Sequence, residues 1–334
     1  MSHEPLPLIV RSDSAARVNS RAAVRNHAVA VYLARLAPGS RRTMRAALDT
    51  IAAMLSGKPG GAFAFPWQEL RYEHTQAIRA ALSERYAPAT TNKMLAALRG
   101  CLRECWRLGQ MEAEEFHRAV DVVAVRGTTL LRGRALAVGE LRALFVNCAA
   151  DESPSGVRDA ALLAVLYGGG LRRAEAVMLD LSDYDTETGA LRIRSGKGRK
   201  ARTAYATGGA KAALEAWLHA RAASPRQPRA ARTDAGESLF YPINKGGRLI
   251  PRRMTDQAVL NIVRKRALSS GVARFSPHDL RRSFISDLLD AGADISTVQG
   301  LAGHANVQTT ARYDRRGERT KRKAAEMLHV PFDK

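Results

Sequence analysis

The stretch from Ser276 to Tyr313, SPHDLRRSFISDLLDAGADISTVQGLAGHANVQTTARY, decides how this chain is read, because two histidines, an arginine pair and a tyrosine recur in it within a few helical turns. Ser276 can cap a helix, with Pro277 in the first turn and Asp279 reaching back to the cap. His278 and Arg281 then emerge on one polar, cationic face. Leu280, Phe284, Ile285, Leu288 and Leu289 supply the opposite, core-facing stripe, and Ala291-Gly292 ends the helix. An apolar segment from Ile295 to Leu301 stops at Gly303, so His304 falls in a turn, where a side chain can be aimed at a ligand. Asn306 starts a further helix that carries Tyr313 about two turns on. Read this way, the stretch is a reaction centre.

The pattern His-x-Leu-Arg, then Gly-His, then a tyrosine nine positions after the second histidine resembles the tyrosine site-specific recombinase (phage integrase) family. Two upstream motifs extend the resemblance. YGGGLRRAEAVML, residues 167–179, resembles the family's Gly-Leu-Arg-x-x-Glu motif and implies Arg172 as the first active-site arginine with Glu175 as its supporting acid. Its YGGG and the Arg172-Arg173 doublet depart from the commoner Thr-Gly-Leu-Arg wording. LRIRSGKGRKARTAY, residues 191–205, resembles the family's β-hairpin and implies Lys197 as the active-site lysine, with Lys200 as the rival. The chain order Arg172, Lys197, His278, Arg281, His304, Tyr313 is the family's order. The likeness is strong from about Val138 to Tyr313 and only general over the first 125 residues.

The rest of the chain suits such a protein. A length of 334 residues suggests two domains with a substantial core. A net charge of +21 beside 46% hydrophobic residues favours a folded nucleic-acid binder over a disordered basic tail or a membrane-surface protein. The N-terminal MSHEPLPLIVRSDS has no signal-peptide pattern and no apolar run is long enough to span a bilayer, so a bacterial cytoplasmic, nucleoid-associated location and no membrane partner are expected. Cys101, Cys105 and Cys148 lack the paired spacing of a zinc site and read as core residues. There is no acidic cluster for Mg²⁺ and no Walker-type phosphate loop, so no cofactor and no metal are expected, and a metal nuclease or NTP-driven enzyme is disfavoured.

The pattern predicts a mainly α fold with a small β-hairpin, an α+β chain. Residues 1–16 read as a flexible arm and 17–125 as a helical DNA-binding domain. Residues 126–137, basic and glycine-containing, read as a linker, and 138–334 as the catalytic domain with a tail helix. The resemblance implies a SAM-like core-binding domain and a C-shaped clamp on DNA. Helical stripes run from Val18 to Leu36 and, after Ser40 as cap, through Met44, Leu48, Ile51 and Leu55. SGKPGGAFAFPWQEL reads as a loop before a helix from about Glu73 to Tyr86. The next stripe is Met94, Leu95, Leu98, Leu102 and Trp106. Candidate phosphate contacts are Arg41, Arg42 and Arg45 in one entry turn, Thr91, Asn92 and Lys93 at a helix start, Arg99 on its face, and Arg252 and Arg253 at the start of a later helix. An ordinary solvated helix end is the competing reading of the Arg41, Arg42 and Arg45 turn, and plain exposure to water that of Arg99.

A tyrosine hydroxyl, with an ordinary pKa of about 10, needs neighbouring cations to attack near neutrality. Two arginines can each grip a phosphate oxygen through paired N–H groups and so neutralise a pentacoordinate transition state. The resemblance implies attack by Tyr313 to give a 3′-phosphotyrosine and a free 5′ hydroxyl. Lys197 or Lys200 acts as general acid, His278 serves proton transfer and His304 binds the phosphate. It also implies a double-stranded DNA site, a tetramer, with the tail helix either joining protomers or packed on its own domain, and an accessory or second recombinase subunit. Strand exchange through a four-way junction would serve mobile-element integration or excision, or resolution of cointegrates or dimers. Type IB topoisomerase-like relaxation uses similar residues, and a DNA-binding scaffold without catalysis is the reading from a different class.

Overall fold

The computed structural model describes residues 27–57, 61–127, 133–194, 201–224, 237–314 and 325–326. The arm at 1–16, the start of the first stripe, Lys197, Lys200, residues 225–236 and nearly all of the tail after Asp314 lie outside them. The chain divides into two units, Met1–Leu131 and Arg132–Lys334.

In the first unit the described helices are α1 (Ala28–Ala34), α2 (Pro38–Ser56), α3 (Tyr72–Arg85), α4 (Pro88–Arg107) and α5 (Ala113–Val120). The expected stripes form its core, with Leu48, Ile51, Ile78, Leu95, Leu98 and Leu102 fully buried and Cys101 and Cys105 among them as free thiols. Two helices start earlier than expected, at Pro38 and Pro88, because proline's preset φ and missing N–H suit the first helical position. Ser40 is therefore inside α2 and does not cap it. The segment read as a loop before α3 holds a 3₁₀ turn, Trp67–Glu69, and it serves the core. Trp67 is buried there and donates its indole N–H to the Ala62 carbonyl at 2.6 Å. Trp106, placed on the apolar face by periodicity, instead lies partly outside, stacked on Phe116 with ring centres 5.1 Å apart.

The second unit contains, among the described residues, α6 (Val138–Ala149), α7 (Pro154–Tyr167), α8 (Arg173–Met178), strands β1 (Ala190–Ile193) and β2 (Arg202–Tyr205), α9 (Gly209–Ala223), α10 (Asp256–Ser269), α11 (Pro277–Asp290), α12 (Ile295–Ala302) and α13 (Val307–Ala311). The strands are antiparallel, Ala190 opposite Tyr205 and Ile193 opposite Arg202. The fold is thus mainly helical with a two-stranded sheet. Helix α7 is apolar almost all round and is buried through Ala161–Leu166, packing on α9, whose Leu214 and Trp217 are fully buried. Polar residues tie α7 to α10: Asp159 accepts from Arg158 and from Arg266, and Arg266 also reaches Asp151 at 2.6 Å. All three members of the Arg158–Asp159–Arg266 group are buried.

Helix α11 differs most from its periodicity. A polar, cationic face opposite an apolar stripe was expected, and Arg281, Arg282, Ser283 and Ser286 are buried along with Leu280, Phe284, Ile285 and Leu289. Residues 133–137, read as linker, belong to this unit and account for part of that burial. The Arg134 backbone N–H donates to Asp279, that of Leu136 donates to the Ser283 hydroxyl at 2.7 Å, and Leu136 enters the core. At the start of α11 Asp279 accepts from the backbone N–H and the hydroxyl of Ser276, as the capping pattern predicts. Among the described residues no helix is long and apolar enough to cross a membrane.

Candidate active site

The chain enters the site through glycines. Helix α7 ends at Gly168, and Gly170 adopts φ +60°, where a Cβ would lie 2.3 Å from the Phe284 ring of α11. Only glycine allows both the left-handed turn and this approach. Its carbonyl accepts from Arg281 Nη1 at 2.6 Å. Two residues on, Arg172 stands at the N-cap of α8, held by Glu175 through its backbone N–H at 2.9 Å and its Nη1 at 2.6 Å. Arg172 Nη2 donates to the Gly303 carbonyl at 3.1 Å.

Gly303 ends α12 at φ +63° and turns the chain so that His304 follows at once. The His304 Nδ1 pairs with the buried Thr310 hydroxyl at 2.9 Å, and its ring stacks on Tyr313 with centres 6.2 Å apart. Asn306 caps α13 by accepting from the Gln308 N–H, and Tyr313 lies in the turn just beyond that helix. The Tyr313 hydroxyl is 3.4 Å from His278 Nε2, and the Arg282 guanidinium lies over the Tyr313 ring. His278 and Arg281 are one turn apart on α11. Arg281 Nη2 donates to the Ala302 carbonyl, while its buried Nε has no partner among the described residues. Contacts therefore close a ring: Arg172, Gly303, His304, Tyr313, His278, Arg281, Gly170 and back to Arg172.

The electrostatics match this crowding of cations. Burial, then the Arg172 and Arg202 charges, push the Arg281 guanidinium down to about 9. Burial, followed by the charges of Arg281 and Arg172, pushes His304 down to about 4, so its imidazole is neutral near pH 7. His278 is lowered by the same kind of causes, burial first and then Arg281 and Arg282. Burial alone would raise Glu175, but the hydrogen bonds and charges of Arg202 and Arg172 outweigh it and hold the carboxyl at about 2. Among the described residues no group of His, Cys, Asp or Glu side chains is arranged to hold a metal ion.

The Arg172-Arg173 doublet divides its work, since Arg173 pairs with Asp256 at 3.2 Å. Arg202 was missed. It lies on β2 and gives Glu175 two hydrogen bonds, at 3.0 and 2.8 Å. Its signal was present: the alternation that turns Ala204 and Ala206 inward turns Arg202 inward too, and a buried guanidinium demands an acid. Thr310 was missed for want of any periodic cue.

Of the candidate phosphate contacts, Thr91 is corrected and the others have the following surroundings. Thr91 is fully buried in the second turn of α4, its hydroxyl donating to the Leu82 and Tyr86 carbonyls, so it cannot reach a phosphate. Asn92 exchanges hydrogen bonds with the Val125 backbone in both directions, at 2.9 and 2.8 Å. Arg99 donates to the Val122 carbonyl, and Arg41 to those of Leu36 and Ala34. Arg252 and Arg253 precede α10, which Thr255 caps, and Arg253 is committed to Asp180 and the Val177 carbonyl. Arg42, Arg45, Lys93 and Arg252 are exposed. Arg45 leans on Asp49 and lies over the Phe63 ring.

Residues 134–319 match the phage integrase family. The chain belongs to that family, the tyrosine recombinases, enzymes that cleave and rejoin DNA in site-specific recombination. It is similar to a tyrosine recombinase XerC of Natranaerobius thermophilus, 32% identical over 75% of this chain and 79% of that one. It is also similar to a tyrosine recombinase XerD of Mycobacterium tuberculosis, 36% identical over 66% of this chain and 68% of that one. In fold it resembles the Tn1549 transposon integrase in complex with transposon right-end DNA, with a TM-score of 0.65 and 15% identity over 91% of this chain and 100% of that one.

Proposed function

We propose that Tyr313 is the nucleophile of a DNA-cleaving and rejoining reaction carried by the ring of residues just described. The carrying observation is the Tyr313 hydroxyl, 3.4 Å from His278 Nε2 and on the same ring of contacts as both arginines. The Tyr313 oxygen attacks the scissile phosphorus and its proton passes to His278. The bond from phosphorus to the 5′ oxygen breaks, and that oxygen takes a proton from Lys197 or Lys200. The product is a 3′-phosphotyrosine with a free 5′ hydroxyl. Arg172 and Arg281 bind the non-bridging oxygens, and the Nε of Arg281, without a partner among the described residues, supports that role. With Nδ1 accepting from Thr310, the neutral His304 offers its Nε2–H to the phosphate. A 5′ hydroxyl from a second duplex reverses the step without ATP, which exchanges strands.

The partner is double-stranded DNA carrying a specific site, engaged by four copies in two rounds of exchange, with the tail helix or a second recombinase subunit completing the assembly. The net charge of +21 supports the DNA partner. The test is a nicked suicide duplex drawn from DNA flanking the gene, followed by denaturing electrophoresis. Wild type forms a covalent adduct and Tyr313→Phe forms none while still binding. An adduct that survives in Tyr313→Phe overturns the assignment.

A further inference from the structure

Arg202 stands outside the residues that motif or resemblance assigned, and its surroundings are unusually complete. Glu175 has four acceptor positions on its two oxygens, and all four are filled. Arg172 takes one on Oε1 through its side chain and one on Oε2 through its backbone N–H. Arg202 takes the others, Nη1 on Oε1 and Nη2 on Oε2, in the side-by-side geometry that only arginine supplies. Its Nε donates to the Leu301 carbonyl at 3.1 Å, in the last turn of α12. The side chain is only 10% exposed, so no edge of it is presented to a ligand. Its stem also lies where a Cβ on Gly303 would meet it at 2.7 Å, and Gly303 is the residue whose carbonyl holds Arg172.

We propose that Arg202 is a positioning residue for DNA cleavage: by filling half of Glu175 and gripping the end of α12, it fixes where Arg172 and His304 stand. It joins β2, the start of α8 and the end of α12 through three hydrogen bonds from one guanidinium. Without it, Glu175 retains Arg172 as its only hydrogen-bonding cation, α12 loses the tie at Leu301, and the Gly303 carbonyl is free to drift. Arg172 is then held to a carboxylate whose own orientation is loose. A misplacement of about 1 Å at a phosphate ligand slows reaction by roughly 100-fold.

The groups facing Glu175 also predict a change that loss of packing alone does not produce. Arg172 faces it from the α8 cap and Arg202 from β2, and the charge of Arg281 on α11 is felt nearby. Burial opposes its ionisation. Removing Arg202 removes the first of the effects that keep it charged. Its pKa therefore rises, and the variant loses cleavage on the acid side at a higher pH than wild type does.

This inference rests on the recombinase reading, and the experiment separates the two. Single-turnover adduct formation on the suicide duplex is measured from pH 5.5 to 9 for wild type, Arg202→Met, Arg202→Lys and the double variant Arg202→Met with Glu175→Gln. DNA affinity and thermal midpoint are recorded for each. No adduct from wild type overturns the recombinase reading itself. Given a wild-type adduct, Arg202→Met is expected to cleave roughly 100-fold slower with unchanged DNA affinity and an acid limb at higher pH than that of wild type, a shift that the double variant lacks. Arg202→Lys, which keeps the charge but not the fork, recovers part of the rate without that shift. Should Arg202→Met not fold, Arg202→Lys decides: a slower cleavage step at wild-type affinity supports the proposal. A wild-type rate and pH profile in either folded variant overturn it, as does a rate loss matched by lost affinity.

Discussion

Thr310 lies outside the proposed catalytic set and yet holds one of its members. Its buried hydroxyl is the partner of His304 Nδ1. Thr310→Val keeps the shape and removes the bond, so the cleavage step is expected to slow roughly five-fold, the equivalent of about 1 kcal/mol, with little loss of stability. Single-turnover cleavage and calorimetry check both halves. His304 carries a pH prediction as well. Its pKa falls from an ordinary 6.5 to about 4, so the unfolded chain binds the proton more readily than the folded one between those values. Its contribution to stability is complete above about pH 6.5 and is lost as pH falls toward 4. The thermal midpoint of wild type is expected to drop between pH 7 and pH 5, and the drop in His304→Gln to be smaller. Equal drops would show that His304 is not the group responsible. Glu175 acts lower: held at about 2 against an ordinary 4.5, it destabilises the fold only as pH falls below that ordinary value.

At the scale of elements, two joints hold in place the helices that carry the proposed catalytic residues. Gly170→Ala places a Cβ against Phe284 at a left-handed φ, and the combined strain and overpacking are expected to cost about 2–5 kcal/mol. Asp159→Ala takes from the buried Arg158 its carboxylate partner and leaves Arg266 with Asp151 alone, at an expected cost of about 3–5 kcal/mol. Calorimetry of the full chain measures both, and a midpoint within a degree of wild type contradicts either. These joints also mark what the sequence could reveal. Local signals were legible where they act within one turn: the Ser276–Asp279 cap, the Asn306 cap and the left-handed Gly303 stop all follow from residue type. The burial of Arg281 was not, because it depends on Gly170 and Ala302 arriving from other parts of the chain. Helix starts at Pro38 and Pro88 were misplaced by two or three residues because a polar cap residue was given more weight than a proline at the first position.

For the whole molecule, charge governs binding and motif order governs identity. The order of six separated residues pointed to the family before any geometry did, and residues 134–319 match it. Side-chain direction was illegible at the same scale: of the basic and polar residues at helix starts, Thr91 turned inward and Arg253 took an acidic partner in its own unit. With +21 net charges, the chain is expected to bind duplex DNA with a steep salt dependence. Engagement of 6–10 phosphates would cost about 10³–10⁵ in affinity between roughly 50 and 200 mM salt. Fluorescence anisotropy at a series of salt concentrations gives the slope, and a flat response would contradict binding through the DNA backbone.

The central claim is that Tyr313 becomes joined to the 3′ phosphate of the cleaved strand. The most direct measurement is to trap the adduct on an end-labelled nicked duplex, digest it with protease and nuclease, and identify the modified peptide by mass spectrometry. The account predicts a nucleotide phosphate on the peptide containing Tyr313 and a free 5′ hydroxyl on the released strand. A phosphate on any other residue, or a linkage through the 5′ phosphate, would contradict it.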